Sequence, residues 1–315
     1  MKVLLVTERS NTTESVLRGL LDAGHDVVEV WSQMPPQKMY LRSSVRYLTK
    51  RARCLGTLLV KYKITCRQIP LKKTNNLSAL LKDIEKVDML LCYGSSIIFK
   101  KEFIDHFQGK AFNCHPSLLP KYRGPLPEAN MLMDGKGDEF GGCTIHQIVP
   151  AIDAGDIIAQ RVVPRSKYRN YLAWNFAHGD AFYEMVLDDL SAFLQGKKKA
   201  VPQDHSRASY HKINERGASV SSNWSWFNVK EFLANGYGLR RKTTVTVMDE
   251  NGDSSIIPIN PQPVRLGKPS NQPAVIRAGS VEMDVLDARI WLQRETKWQK
   301  LKGKVDRYRT HFLGR

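Results

Sequence analysis

Apolar residues in the first two hundred positions fall into short continuous runs that alternate with stretches of helical period. Residues 2–6 are a run of the first kind and predict a strand. Thr12 or Thr13 can cap a helix whose face carries Val16, Leu17, Leu20 and Leu21, and Gly24 ends it. Residues 26–31 (DVVEVW) predict the next strand. Pro35 and Pro36 open a loop, and residues 40–60 read as a basic amphipathic helix. A helix over 77–86 and a strand over 87–93 follow, the strand apolar apart from Asp88, as in a sheet covered on both faces. A short helix at 103–107 leads to a strand that ends at Asn113. Residues 142–149 and 157–163 are two more strands. A helix over 171–194 then places Phe182, Val186, Leu190 and Leu194 on one face, with Gly196 as its stop. Strands alternating with helices predict an α/β fold with a doubly wound, mostly parallel sheet.

The pattern changes after Gly196, where three lysines, Pro202 and a polar stretch follow. Beyond it a short helix near 229–234 precedes shorter periods. Residues 243–248 and 255–259 flank Glu250-Asn251-Gly252-Asp253, a hairpin signal, and 274–276, 281–285 and 288–292 read as further strands. The expected organisation is a first domain over 1–199 and a smaller, mostly β, barrel-like domain over 200–315.

Composition narrows the class. With 42% apolar and 25% charged residues the chain is that of a soluble globular protein, and no run approaches the length of a membrane span, so membrane insertion is not expected. Five widely spaced cysteines without a C-x-x-C pair signal neither a disulfide framework nor a metal site, which fits a reducing cytoplasm. The net charge of +17 favours anionic partners. No acid occurs between Glu29 and Asp83, whereas eleven Lys and Arg from Lys38 to Lys73 fall there, a bias that fits an anion-facing surface as well as a solvated one.

The candidate chemistry lies between residues 111 and 156. Asn113 and His115 are two apart at the end of a predicted strand, so their side chains share a face, and the strand's carboxyl end is where α/β folds place ligands. Asp153 precedes Gly155 in a turn after another strand and can reach the same edge. An amide donor for an oxyanion, an imidazole for proton movement and a carboxylate to set the imidazole's charge suit acyl transfer to an amine. Singly, each also has a structural reading: a strand end, a buried histidine, an Asx-turn. No G-x-S-x-G elbow is present, which argues against a covalent serine intermediate.

Taken together, the segment resembles the tetrahydrofolate-dependent formyltransferase family. The N-x-H-x-S-L-L-P motif stands as Asn113, His115, Ser117, Leu118, Leu119 and Pro120, the D-x-G turn as Asp153, Ala154 and Gly155, and the T-x-H strand pattern as Thr144 and His146. The resemblance implies a Rossmann-like sheet and transfer of the formyl group of N10-formyltetrahydrofolate, a co-substrate, to a primary amine, without a metal. Asn113 and His115 then hold the tetrahedral oxyanion, and His115, kept protonated by Asp153, passes a proton to the leaving folate nitrogen. It also implies a pterin slot built largely of backbone, from Ser96, Ile97, Ile98 and Phe99 on one side and Pro150, Ala151 and Ile152 on the other. Lys121, Tyr122 and Arg123 are the candidates for binding the acceptor.

Departures from the family pattern bear on the acceptor. The turn after the first strand reads Thr7-Glu8-Arg9-Ser10-Asn11-Thr12, neither the glycine-rich loop of the glycinamide ribonucleotide branch nor the G-T-P turn of the methionyl-tRNA branch. Arg123-Gly124-Pro125-Leu126-Pro127 keeps the R-G-x-x-P shape common to the methionyl-tRNA and sugar branches. A phosphate-bearing amine, first a nucleotide-linked amino sugar and second methionyl-tRNA, is the expected acceptor. Hydrolysis of the folate donor and a non-catalytic RNA-binding role remain the alternatives, and nothing in the sequence sets an oligomeric state.

Overall fold

The computed structural model describes residues 1–8, 11–32, 55–69, 79, 81, 86–95, 97–168, 171–211, 219–220, 222, 225–226, 229–230, 233, 244–248 and 254–294. Most of the expected helices over 77–86 and 40–60, and Ser96, lie outside these residues. The chain divides into two compact units, Met1–Met131 with Gly137–Lys212, and Leu132–Lys136 with Ile213–Arg315.

The first unit is built on β1 (Lys2–Thr7), α1 (Asn11–Asp22), β2 (Asp26–Ser32), α2 (Leu55–Lys61), β3 (Thr65–Gln68), β4 (Met89–Tyr93), α3 (Lys101–Asp105) and β5 (Ala111–His115). After these come α4 (Pro127–Met133), α5 (Gly137–Phe140), β6 (Gly142–Gln147), β7 (Ile157–Val162) and the helix α6 from Tyr171, which widens to a π-turn over Met185–Leu190. The sheet order is β3-β2-β1-β4-β5-β6-β7, with the reversal of strand order between β1 and β4 that marks a doubly wound fold. The first five strands are parallel; β6 pairs antiparallel with both β5 and β7, so it alone runs in reverse.

Alternation sorts the side chains of this sheet onto two buried faces. On one, Phe112 meets Phe193 edge-on and Tyr93 meets Phe182, with Val16, Leu17 and Leu20 of α1 fully covered. On the other, Leu4, Val6, Leu90 and Cys92 pack with Trp31, Phe99, Phe103 and Phe107. Because Asn113 pairs with Cys92 in the β4–β5 ladder, it belongs to this second face, and so does His115.

The boundary of the first unit differs from the expected residue 199. Residues 201–211 belong to the sheet unit because Val201 and Ile157 exchange both backbone hydrogen bonds at 2.8 Å, and Arg123 N–H donates to the Ser209 carbonyl at 2.8 Å. The lysines and Pro202 that shift the composition are a surface feature of this unit rather than its end.

The second unit carries a sheet of order β11-β12-β13-β10-β9-β8. Its strands are β8 (Ser219–Val220), β9 (Thr244–Met248), β10 (Ser254–Gly267), β11 (Val275–Ile276), β12 (Ser280–Val285) and β13 (Ala288–Arg294). The expected hairpin is the β9–β10 pair. β10 is long enough to serve both halves, its start pairing with β9 and its end with β13, around a core of Val245, Ile257, Val281, Ile290 and Leu292.

Candidate active site

The register of β5 against β6 sets the site. Asn113 lies opposite His146 and His115 opposite Thr144, so all four side chains share one face. β6 runs antiparallel, and its far end, Gln147, lies beside Phe112. The β6–β7 connection therefore leaves from the opposite end of β5 and must fold back across the face, which is how Asp153 reaches Asn113 and His115. The groups sit on one face of the sheet at the carboxyl end of β5, which closes at His115.

Asp153 is the hub. Its Oδ1 accepts from Asn113 Nδ2 at 3.1 Å and lies 3.5 Å from His146 Nε2, while its Oδ2 accepts from Gly124 N–H at 2.8 Å and lies 3.6 Å from His115 Nδ1. Its φ is +49°, a left-handed conformation that Asp tolerates better than most residues. Gly155 cannot be replaced without movement, because a Cβ there would lie 2.0 Å from the Gln147 carbonyl oxygen.

The charges follow from these contacts. Burial opposes ionisation of Asp153, but the positive charge that His115 and His146 carry when protonated, together with the Gly124 N–H, outweighs it and holds the carboxyl well below the usual range. For His115 the balance goes the other way. Burial lowers its pKa, and the pull of Asp153 and the Tyr122 carbonyl does not restore it. Its Nε2 stands 2.8 Å from the Tyr122 carbonyl, which can only accept, so the ring carries a proton there and turns Nδ1 to Asp153.

Thr144, matched by motif alone, has a defined task. Its hydroxyl donates to the Ser117 carbonyl at 2.6 Å and accepts from Leu119 N–H at 3.2 Å and Gln160 Nε2 at 3.0 Å. It thereby ties the loop after His115 to β6.

The remaining candidates separate. Ile97 and Phe99 are buried, Phe99 stacked on Phe103 at 5.3 Å, whereas Ile98 is 67% exposed. The segment thus turns Ile98 outward. Pro150, Ala151 and Ile152 are exposed in the turn that carries Asp153. Of the acceptor candidates, the Tyr122 ring is buried and stacked on His211 at 4.6 Å, which removes it from the surface. Arg123 gives Nε and Nη2 to Gln203 Oε1 and Nη2 to His205 Nδ1 at 3.0 Å. Lys121 extends toward the Phe140 ring. Gln203, His205 and Ser209 escaped the sequence reading because single polar residues in a polar stretch carry no periodic signal. Among the described residues no group of three or more His, Cys, Asp or Glu could hold a metal ion, and no helix is long and apolar enough to cross a membrane.

The family model for formyl transferase matches residues 1–167, over half of the chain and including Asn113, His115, Thr144, His146 and Asp153. The chain belongs to the formyl transferase family. Similar curated proteins include the methionyl-tRNA formyltransferases of Borrelia turicatae, 32% identical over 46% of this chain and 46% of that one. Another is that of Roseiflexus castenholzii, 40% identical over 36% and 35%. The chain thus spans about half the length of the curated relatives it matches. Among solved structures, an N-formyltransferase from Helicobacter canadensis, described with folinic acid and dTDP-3-aminofucose, is similar at TM-score 0.58 and 16% identity, over 94% of this chain and 100% of that one. The sugar 3N-formyl transferase WlaRD is similar at TM-score 0.60 and 17% identity over 94% and 99%. At that identity the likeness of this formyl transferase family member to them is one of fold.

Proposed function

We propose that this chain transfers the formyl group of N10-formyltetrahydrofolate to a primary amine on a nucleotide-linked amino sugar. The observation that carries the reading is the convergence of Asp153, from a turn forty residues downstream, on both Asn113 and His115. The amine nitrogen attacks the formyl carbon, and Asn113 Nδ2 turns toward the oxygen as negative charge develops on it. Neutral His115 takes the proton the amine must lose, and Asp153 stabilises the imidazolium that forms. That proton then passes to N10 as the carbon–nitrogen bond to the folate breaks, leaving a formamide and tetrahydrofolate. The pterin occupies the slot between 97–99 and 150–152, and the basic loop at Lys121 and Arg123 meets the acceptor.

The first turn favours the sugar acceptor. Glu8 follows β1 directly, and its carbonyl accepts from the Thr7 and Thr13 hydroxyls, so an acid stands where the glycinamide ribonucleotide branch holds a phosphate. Methionyl-tRNA is the second reading, supported by the names of the curated relatives. The test is an acceptor panel with N10-formyltetrahydrofolate, following tetrahydrofolate release from nucleotide-linked amino sugars, methionyl-tRNA and buffer alone. Release with an amino sugar and its loss in His115→Ala are expected. Release in buffer alone would identify a hydrolase, and none with any acceptor would remove the proposal.

A further inference from the structure

Gln203 is 5% exposed and lies outside the segment that carries the family's motifs. Its Nε2 donates to the carbonyls of Asp153 at 2.9 Å and Gly155 at 2.7 Å, and its Oε1 accepts from Arg123 Nε at 3.2 Å and Nη2 at 2.6 Å. A carbonyl only accepts and a guanidinium only donates, so the orientation of the amide is unambiguous, and its two donors and two acceptor sites are all filled. The strap that bears it is pinned on both sides. Val201 pairs with Ile157, and the Ser209 hydroxyl and carbonyl receive the N–H groups of Tyr122 and Arg123 at 2.9 and 2.8 Å.

We propose that Gln203 is a positioning residue for formyl transfer, locking the turn that carries Asp153 to the loop that carries Tyr122 and Arg123 so that the carboxylate stays on His115 and Asn113. The proposal rests on the reading of those three residues as the reacting site. Asp153 needs such a lock. Its backbone is left-handed, and its connection must fold back over the sheet face rather than follow the ladder. Asp153 is faced by His115 from β5, His146 from β6, Arg123 from the following loop and Cys92 from β4, with Asn113 and Gly124 as its direct donors. If the turn relaxes, the carboxylate leaves the histidines and these donors, and protonates more readily.

Gln203→Met keeps the volume and removes all four bonds. It is expected to lower kcat by about 100-fold, the scale of a small misplacement of a reacting group, with KM for the folate donor changed much less. Independently of turnover, the Asp153 carboxyl followed by carbon-13 NMR, assigned against Asp153→Asn, is expected to stay ionised through the ordinary carboxylate range in the parent. In Gln203→Met it should titrate within that range. Should Gln203→Met fail to fold, Gln203→Glu retains an acceptor for Arg123 and loses the donors to the two carbonyls, and the same loss of kcat is expected. An unmoved Asp153 titration in Gln203→Met, or parent-like kcat in either variant, overturns the proposal. If the parent transfers no formyl group while the titration still moves, the positioning role stands and the functional reading falls.

Discussion

Asn113 and His146 fix one another across the β5–β6 ladder. His146 Nδ1 lies 2.8 Å from the Gln147 carbonyl and must carry the ring proton, so Nε2 is a lone pair that accepts Asn113 Nδ2 at 3.1 Å. The second Nδ2 hydrogen goes to Asp153, which defines the amide's orientation in the resting protein.

From that orientation, Asn113→Ala removes the oxyanion donor, and Asn113→Asp places a second carboxylate against Asp153. Each is expected to reduce turnover by at least ~100-fold in steady-state kinetics. Binding of 5-formyltetrahydrofolate, measured by calorimetry, is expected to persist, because the slot is mostly backbone. Near-normal turnover would remove Asn113 from the mechanism.

Acid stability is a second expectation. His178 is buried, and burial lowers its pKa from 6.5 to about 3, while the carbonyl of Trp174 recovers only part of that shift. His115 is lowered in the same sense. A folded-state pKa below the unfolded one means that the unfolded chain binds protons first, so the stabilisation is complete above about 6.5 and is lost as pH falls toward about 3. Asp153, also depressed, adds its loss only below the ordinary carboxylate value of 3.8. Urea unfolding between pH 7 and 5 is expected to show the fall, by up to roughly 1.4 kcal/mol per pH unit for each histidine. In His178→Leu one such contribution disappears. Parallel pH dependences for the variant and the parent would show that His178 does not contribute.

Two truncations separate the strap from the second unit. A chain ended at residue 199 lacks Gln203 and Ser209, whereas one ended at 212 retains both. Calorimetry with 5-formyltetrahydrofolate is expected to show binding by the longer piece and at least a tenfold weaker affinity for the shorter, whose D-x-G turn has lost its hydrogen bonds to residue 203. Equal binding would show that the strap does not support the slot.

Salt dependence distinguishes the acceptors. If Arg42, Arg46, Lys50 and Arg51 meet tRNA, several phosphates are neutralised together, and affinity falls by orders of magnitude over a few-fold rise in salt. A nucleotide diphosphate engages one or two side chains. The expected result is the mild dependence. A steep slope abolished by neutralising the four residues together would place methionyl-tRNA first.

The period-two spacing of Asn113 and His115 was legible because a strand makes side chains two apart share a face, and the alternation of strands and helices gave the sheet. The direction of β6 was not. Positions 142–146 are all buried, and such a run reads the same whether it pairs parallel or antiparallel. Gln203 was invisible for a different reason. Its partners stand 48, 50 and 80 positions away, and a lone glutamine among polar neighbours predicts nothing. The burial that opposes a charge on His115 was not legible, because a sequence shows the carboxylate that attracts a proton but not the packing that repels it.

The left-handed backbone at Asp153 also limits what can stand there. Besides glycine, asparagine and aspartate occupy that conformation most readily, and their codons differ by a single base. One single-base step away from this carboxylate, to asparagine, therefore suits the backbone of the turn while deleting its charge and one of its two acceptor oxygens. A lineage that lost the chemistry by this route would keep an almost unaltered scaffold, free to be retained for binding alone.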